Sequence, residues 1–146
     1  MRLKGINGAF KESGLVLDSA LVRNGDWERA SGYACMKDLL EKEHDDLPTA
    51  VLAMNDLMAI GAMDAIKEAN LRVPGDISVV GFDNREVSEF VYPKLTTVEI
   101  DLKKIGYTAA QMVTQKLKGV GEYADKRNIV VPSKLLLRET VSKTER

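Results

Sequence analysis

The chain has 146 residues with 21 basic against 22 acidic side chains, a net charge of -1, so it carries none of the basic excess that drives binding to phosphate backbones. Its single cysteine, Cys35, excludes an internal disulfide, suits a reducing compartment and reads as a small buried hydrophobe. The length fits one domain, the opening "MRLKGINGAF" lacks a secretory apolar core, and no run approaches the roughly 18 apolar residues that span a bilayer, so a soluble cytoplasmic protein is expected.

Leu3, Ile6 and Phe10 recur at helical spacing and the pattern stops at Ser13–Gly14, which predicts an opening helix. The apolar stretch "LDSALV" leads to "RNGDW", where Asn24 and Gly25 mark a turn and Asp26 can cap a helix carrying Ala30, Tyr33, Met36 and Leu40 on one face. The charge run 41–46 reads as a solvated loop. The only histidine, His44, lies in it with no second histidine or cysteine nearby, so no metal site is expected.

"TAVLAM" and "ISVVGF" are continuous rather than alternating apolar runs, the pattern of parallel strands covered on both faces. Between them a helix is predicted from Leu57 to Ala69, capped by Asn55 or Asp56 and closed before Pro74, which completes a parallel crossover unit. "LTTVEI" is a further strand, followed by a helix with Ile105, Ala109, Met112, Val113 and Leu117 on one face and an end at Gly119. "IVVPSKLLLRET" reads as an edge or returning strand, with Pro132 where no ladder donor is required. The fold class is therefore α/β, one open, mainly parallel sheet with helices on both faces, spanning 1–146 as a single lobe.

In such a sheet ligands bind beyond the carboxyl ends of the strands. "AVLAM" delivers Asn55 to that edge and "ISVVGF" delivers Asp83, two polar groups suited to a polyhydroxyl or amide-bearing molecule, unless they merely cap the helices that follow. Gly81 favours a close backbone approach. Residues 57–63, "LMAIGAM", are apolar all round and need cover on more than the sheet side, from a partner subunit or from another part of the chain. Phe90, Val91 and Tyr92 form a second apolar cluster. No catalytic fingerprint occurs, and Asp56, Asp64, Asp83 and Asp101 stand without an activated nucleophile, so neither an enzyme nor a bound cofactor is expected.

The run "PTAVLAMNDLMAIGAMDAIKEANLRVPGDISVVGFDN", then "PKLTTVEID", the closing "LLLRET", the opening "RLKGINGAF" and the "GDW" turn together resemble the C-terminal half of the effector-binding core of the lactose/galactose repressor (LacI/GalR) family. The resemblance implies a three-layer lobe like that of type I periplasmic binding proteins. It also implies a bacterial transcription regulator controlled by a small effector, a sugar or a nucleobase, with half of a periplasmic sugar-binding protein as the alternative. Carried over by position, it implies that Arg2, Trp27, Asn55 and Asp83 line the effector cleft and that Met58, Ile60, Met63, Phe90 and Val91 lie in a homodimer interface. It further implies a DNA-binding head, a hinge and a first lobe, none of which corresponds to any part of this sequence. The chain is accordingly expected to be a portion of a longer regulator that meets operator DNA only through that head.

Overall fold

A computed structural model describes residues 2–42, 47–123, 125, 126 and 128–143. His44 and the rest of its charge run beyond Lys42 lie outside the described residues. The order of elements is α1 (Arg2–Glu12), a 3-10 turn (Ser19–Leu21), α2 (Arg29–Lys42), β1 (Ala50–Leu52), α3 (Asp56–Glu68), β2 (Ser78–Asp83), α4 (Val87–Phe90), β3 (Thr96–Glu99), α5 (Leu102–Lys118) and β4 (Lys134–Leu136). The strands form one open sheet in the order β1-β2-β3-β4; the first two pairings are parallel and β4 returns antiparallel to β3.

Local chemistry sets the ends of the elements. Asn55 caps α3, its Oδ1 accepting the Met58 amide at 2.8 Å, and the chain leaves that helix through Asn70 at φ 59. Asp101 caps α5 through the Lys104 amide at 2.8 Å, and Gly119 ends it at φ 67. Asp26 stands at the entrance to α2, accepting the Glu28 amide at 3.1 Å. β2 is the central parallel strand, with Val79 fully buried, and the core around it gathers Met36, Leu39, Ile60, Ile66, Ile77 and Leu95. Each such side chain contributes about 1.5–3 kcal/mol by leaving water.

The segment after β4 stitches β2 to β3. The buried Thr140 donates its hydroxyl to the Val79 carbonyl at 2.6 Å and accepts the Thr96 amide at 2.8 Å, while its own carbonyl accepts the Val79 amide at 2.8 Å. One residue thus ties the two strands together at the start of their ladder, whose first pair is Val80 with Thr96.

α3 lies on the sheet and α2 lies on α3. A Cβ on Gly61 would sit 2.0 Å from the Arg29 carbonyl oxygen, and one on Gly32 would sit 2.2 Å from the Met58 carbonyl oxygen, so the two helices touch backbone to backbone at a pair of glycines. This settles what covers α3. The partner subunit invoked for its all-round apolar surface is not required there, because α2 provides the cover and Ile60 and Met63 are only 4% and 8% exposed.

The amphipathic pattern of α5 is present, yet its apolar stripe is not packed. Ile105, Val113 and Leu117 are exposed, and among the described residues no element lies along them. Beside β1, α1 and residues 16–23 enclose with α2 and α3 an apolar cavity of about 540 Å³, lined by Ile6, Phe10, Leu21, Met36 and Met58 among others.

Gly61→Ala forces the α2–α3 backbones apart and is expected to cost about 3 kcal/mol, the upper part of the range for overpacking. Gly106→Ala, in open space on α5, is expected to be neutral or stabilising by up to about 1 kcal/mol. Paired thermal melts of the two variants check this.

Candidate functional site

β1 and β2 run parallel, so their carboxyl ends open on the same edge of the sheet. β1 is followed by Met54 and Asn55; β2 finishes in Phe82 and Asp83. Side chains alternate across a strand, and Gly81 faces α3, where a Cβ would meet the Asp56 carboxylate at 2.4 Å; Phe82 therefore faces the other side. The close approach anticipated at Gly81 is thus explained by a buried carboxylate packed against it.

Arg2, at the first turn of α1, reaches into this edge. Its Nη2 lies 3.0 Å from Asp83 Oδ1, and its Nη1 donates to the Met54 carbonyl. The guanidinium carbon sits 4.0 Å from the centroid of the Phe82 ring and 5.7 Å from that of Trp27. A planar cation laid over rings and forked onto a carboxylate is a characteristic use of arginine. Both charged side chains keep about a third of their surface open to solvent, 32% for Arg2 and 29% for Asp83, so the pair remains accessible to a ligand.

Trp27 is held from its backbone: Asn55 Nδ2 donates to the Trp27 carbonyl at 2.7 Å. Asn55 therefore does two jobs, capping α3 with its oxygen and fixing the Trp27 turn with its nitrogen. At 6% exposure it offers a ligand only the remaining amide N–H. Capping and site membership, alternatives in the sequence, coexist at this residue. Asp83 caps nothing; α4 begins four residues later, and its N-cap residue, Glu86, makes no side-chain cap bond.

All four residues expected at the cleft, Arg2, Trp27, Asn55 and Asp83, come together. Sequence reasoning misses Phe82, although its position one residue before the strand edge and its aromatic ring are the available signals. Asp56 reads in the sequence only as a cap or as one of several carboxylates, whereas it is fully buried beneath the site and accepts the Thr97 hydroxyl at 2.5 Å and the Arg85 amide at 2.6 Å. Of the residues expected in a dimer interface, Met58 is half-buried, Ile60 and Met63 are in the core, Val91 is half-buried and Phe90 is exposed.

The backbone is strained where the site needs it. Of the four non-glycine residues with positive φ among those described, Trp27 (75), Asp83 (105) and Asn84 (52) belong to this edge. Such conformations cost about 1–3 kcal/mol each and persist only where the surroundings impose them.

A strand-end mouth on an open, mainly parallel sheet, lined by two aromatic faces and a matched cation and anion, stands where sheets of this class bind ligands. The chain belongs to the family of periplasmic-binding-protein-like domains, whose model matches residues 1–141, and within it to the LacI/GalR regulators. It is 36% identical over 141 residues to the HTH-type transcriptional repressor PurR of Histophilus somni (strain 2336), covering 97% of this chain and 41% of that one. It is 38% identical over 141 residues to the PurR repressor of Pasteurella multocida (strain Pm70), covering 96% and 41%. The solved lac repressor dimer bound to operator and the anti-inducer ONPF matches with a TM-score of 0.86 at 37% identity, over 96% of this chain and 46% of that one. The complex of the transcriptional regulator CelR with cellobiose matches with a TM-score of 0.84 at 32% identity, over 95% and 41%. The chain thus spans about 41% of the length of the curated repressors it resembles.

Burial pushes the Asp56 carboxyl above its ordinary value of 3.8, the Thr97 hydroxyl and Arg85 amide oppose that rise, and the nearby Asp83 charge adds to it. The folded chain therefore holds this proton at pH values where the unfolded chain has released it. The contribution to stability is complete below about pH 4 and is lost as pH rises through the raised folded value. Urea unfolding from pH 4 to 7 should show wild type losing stability relative to Asp56→Asn as pH rises; a constant difference would contradict the assignment.

Proposed function

We propose that this chain is the effector-sensing and dimerising lobe of a bacterial transcriptional repressor. The observation that carries the reading is the convergence of Arg2, Trp27, Asn55 and Asp83, drawn from four separate segments, on one mouth at the ends of β1 and β2. The effector is a sugar or a nucleobase. The Trp27 and Phe82 rings offer flat apolar faces for a ring to lie on, Arg2 donates to ligand oxygens, and Asp83 accepts from hydroxyl or ring N–H groups. Because Arg2 and Asp83 already neutralise each other, a neutral polar ligand that bonds to both while they stay paired brings no charge that the site must balance.

The lobe senses and does not catalyse, with no cofactor or metal in its work. Effector binding favours one arrangement of the two lobes of the full-length core and so biases DNA binding by a head outside this chain. Two copies pair along the α3–α4 side. The exposed Phe90 is the anchor proposed there, with the half-buried Val91 and Met58 contributing and the buried Ile60 and Met63 keeping α3 firm. Such a regulator works in the cytoplasm, and among the described residues no helix is long and apolar enough to cross a membrane. The repressor relatives favour this reading over half of a periplasmic sugar-binding protein.

Calorimetric titration of the full-length regulator against a panel of sugars and nucleobases is expected to find a ligand whose affinity falls about 10- to 100-fold in Asp83→Ala, the loss of a hydrogen bond to a charged group. Unchanged affinity would remove Asp83 from the site. In sedimentation the wild-type regulator is expected to run as a dimer that Phe90→Glu splits; a wild-type monomer at every concentration would overturn the dimer.

A further inference from the structure

Asp83 does not hold its own position. The chain leaves β2 through two left-handed residues, Asp83 and Asn84, neither of them a glycine, so something outside the turn must impose that shape. Two side chains on remote segments grip it. From beneath, the buried carboxylate of Asp56 accepts the Arg85 amide at 2.6 Å and is itself held by the Thr97 hydroxyl at 2.5 Å. From the side, the Arg138 guanidinium, 13% exposed, spreads over four acceptors. Its Nη2 donates to Asn84 Oδ1 at 2.8 Å and Glu89 Oε1 at 2.8 Å, and its Nη1 donates to Ser88 Oγ at 2.9 Å and the Leu95 carbonyl at 2.9 Å. The other end of the Asn84 amide donates to Glu99 Oε1 at 3.0 Å, so Asn84 cannot turn over without losing partners at both ends.

We infer that Arg138 and Asp56 are positioning residues for effector recognition, which together lock the Asp83–Arg85 turn so that the Asp83 carboxylate faces Arg2. The inference rests on the reading of Asp83 as a ligand contact, but neither residue bonds to Arg2, Trp27 or Asp83 in the structure. Each acts through the turn: Asp56 through the Arg85 amide, Arg138 through the Asn84 side chain. The fork geometry matters, since four acceptors converge on one planar cation and a lysine ammonium has three donors and no plane. Arg138 also joins this turn to the segment after β4, whose Arg138 amide donates to Thr96 Oγ1 at 2.9 Å. The shape of the site's anionic edge is therefore set by residues near the far end of the chain.

The test is amide hydrogen exchange by NMR on the ligand-free chain, comparing wild type with Arg138→Gln and Arg138→Lys. The amides of Asn84 and Arg85 report the turn, and those of Ile66 and Val79 report the core. The expected result is exchange at Asn84 and Arg85 faster by roughly tenfold or more in Arg138→Gln, with the lysine variant between it and wild type and the core amides unchanged. Unchanged exchange at the turn would overturn the proposal. So would acceleration shared equally by the core, or failure of both variants to fold, because either makes Arg138 a general stabiliser. Because no ligand is present, this outcome stands apart from the binding reading. In the full-length regulator, the ligand found by the sugar and nucleobase panel should then bind Arg138→Gln more weakly in the same sense as Asp83→Ala. A turn loosened by Arg138→Gln with affinity unchanged would overturn the link to recognition.

Discussion

A strand covered on both faces can present a polar side chain to a ligand only where its pairing stops. In β2 the residues facing α3, Val79 and Gly81, are buried, Val80 and Phe82 on the other face are half-buried, and the charged residue comes last, at Asp83. Turning there without continuing the ladder requires the left-handed backbone of Asp83 and Asn84. The remainder of the site follows from that bend. Arg2 has a carboxylate to fork onto, Phe82 lies open beneath the guanidinium, and Trp27 stands across from it.

The same arrangement explains why α1 docks where it does. Among the described residues none of α1 is buried, and its firm polar attachments to the sheet edge are those of Arg2 to Asp83 and to the Met54 carbonyl. α5 likewise buries little, only Thr108, with its apolar stripe open, whereas α2 and α3 are fastened through their paired glycines. The lobe thus combines a rigid half, built on the α2–α3 contact and β2, with helices whose packing is incomplete within this chain.

Much of this is legible in the sequence, for identifiable reasons. Continuous apolar runs mark strands buried on both faces, and the polar residue ending each run marks the open edge, so Asn55 and Asp83 stand out from the residue pattern alone. Pairings between distant segments leave no such mark. The cover over α3 depends on Gly32 meeting Met58 and Gly61 meeting Arg29, and a glycine in one helix does not announce its partner in another. Arg138 lies 54 residues from Asn84, in a tail that reads only as a returning strand. Phe82 is hidden in plain view, because in an apolar run its ring looks like one more core residue. The apolar face of α5 is legible as a face, but a stripe along one helix says nothing of what lies on it.

The claim on which all of this rests is that the first turn of α1 and the last residue of β2 are joined through Arg2 and Asp83. A double-mutant cycle of Arg2→Met and Asp83→Asn, read as urea-unfolding free energy, measures that junction directly. The account predicts a coupling of about 0.5–1 kcal/mol, as befits a partly exposed ion pair. Strictly additive effects would mean that the two side chains do not meet in solution and that the mouth does not exist as described.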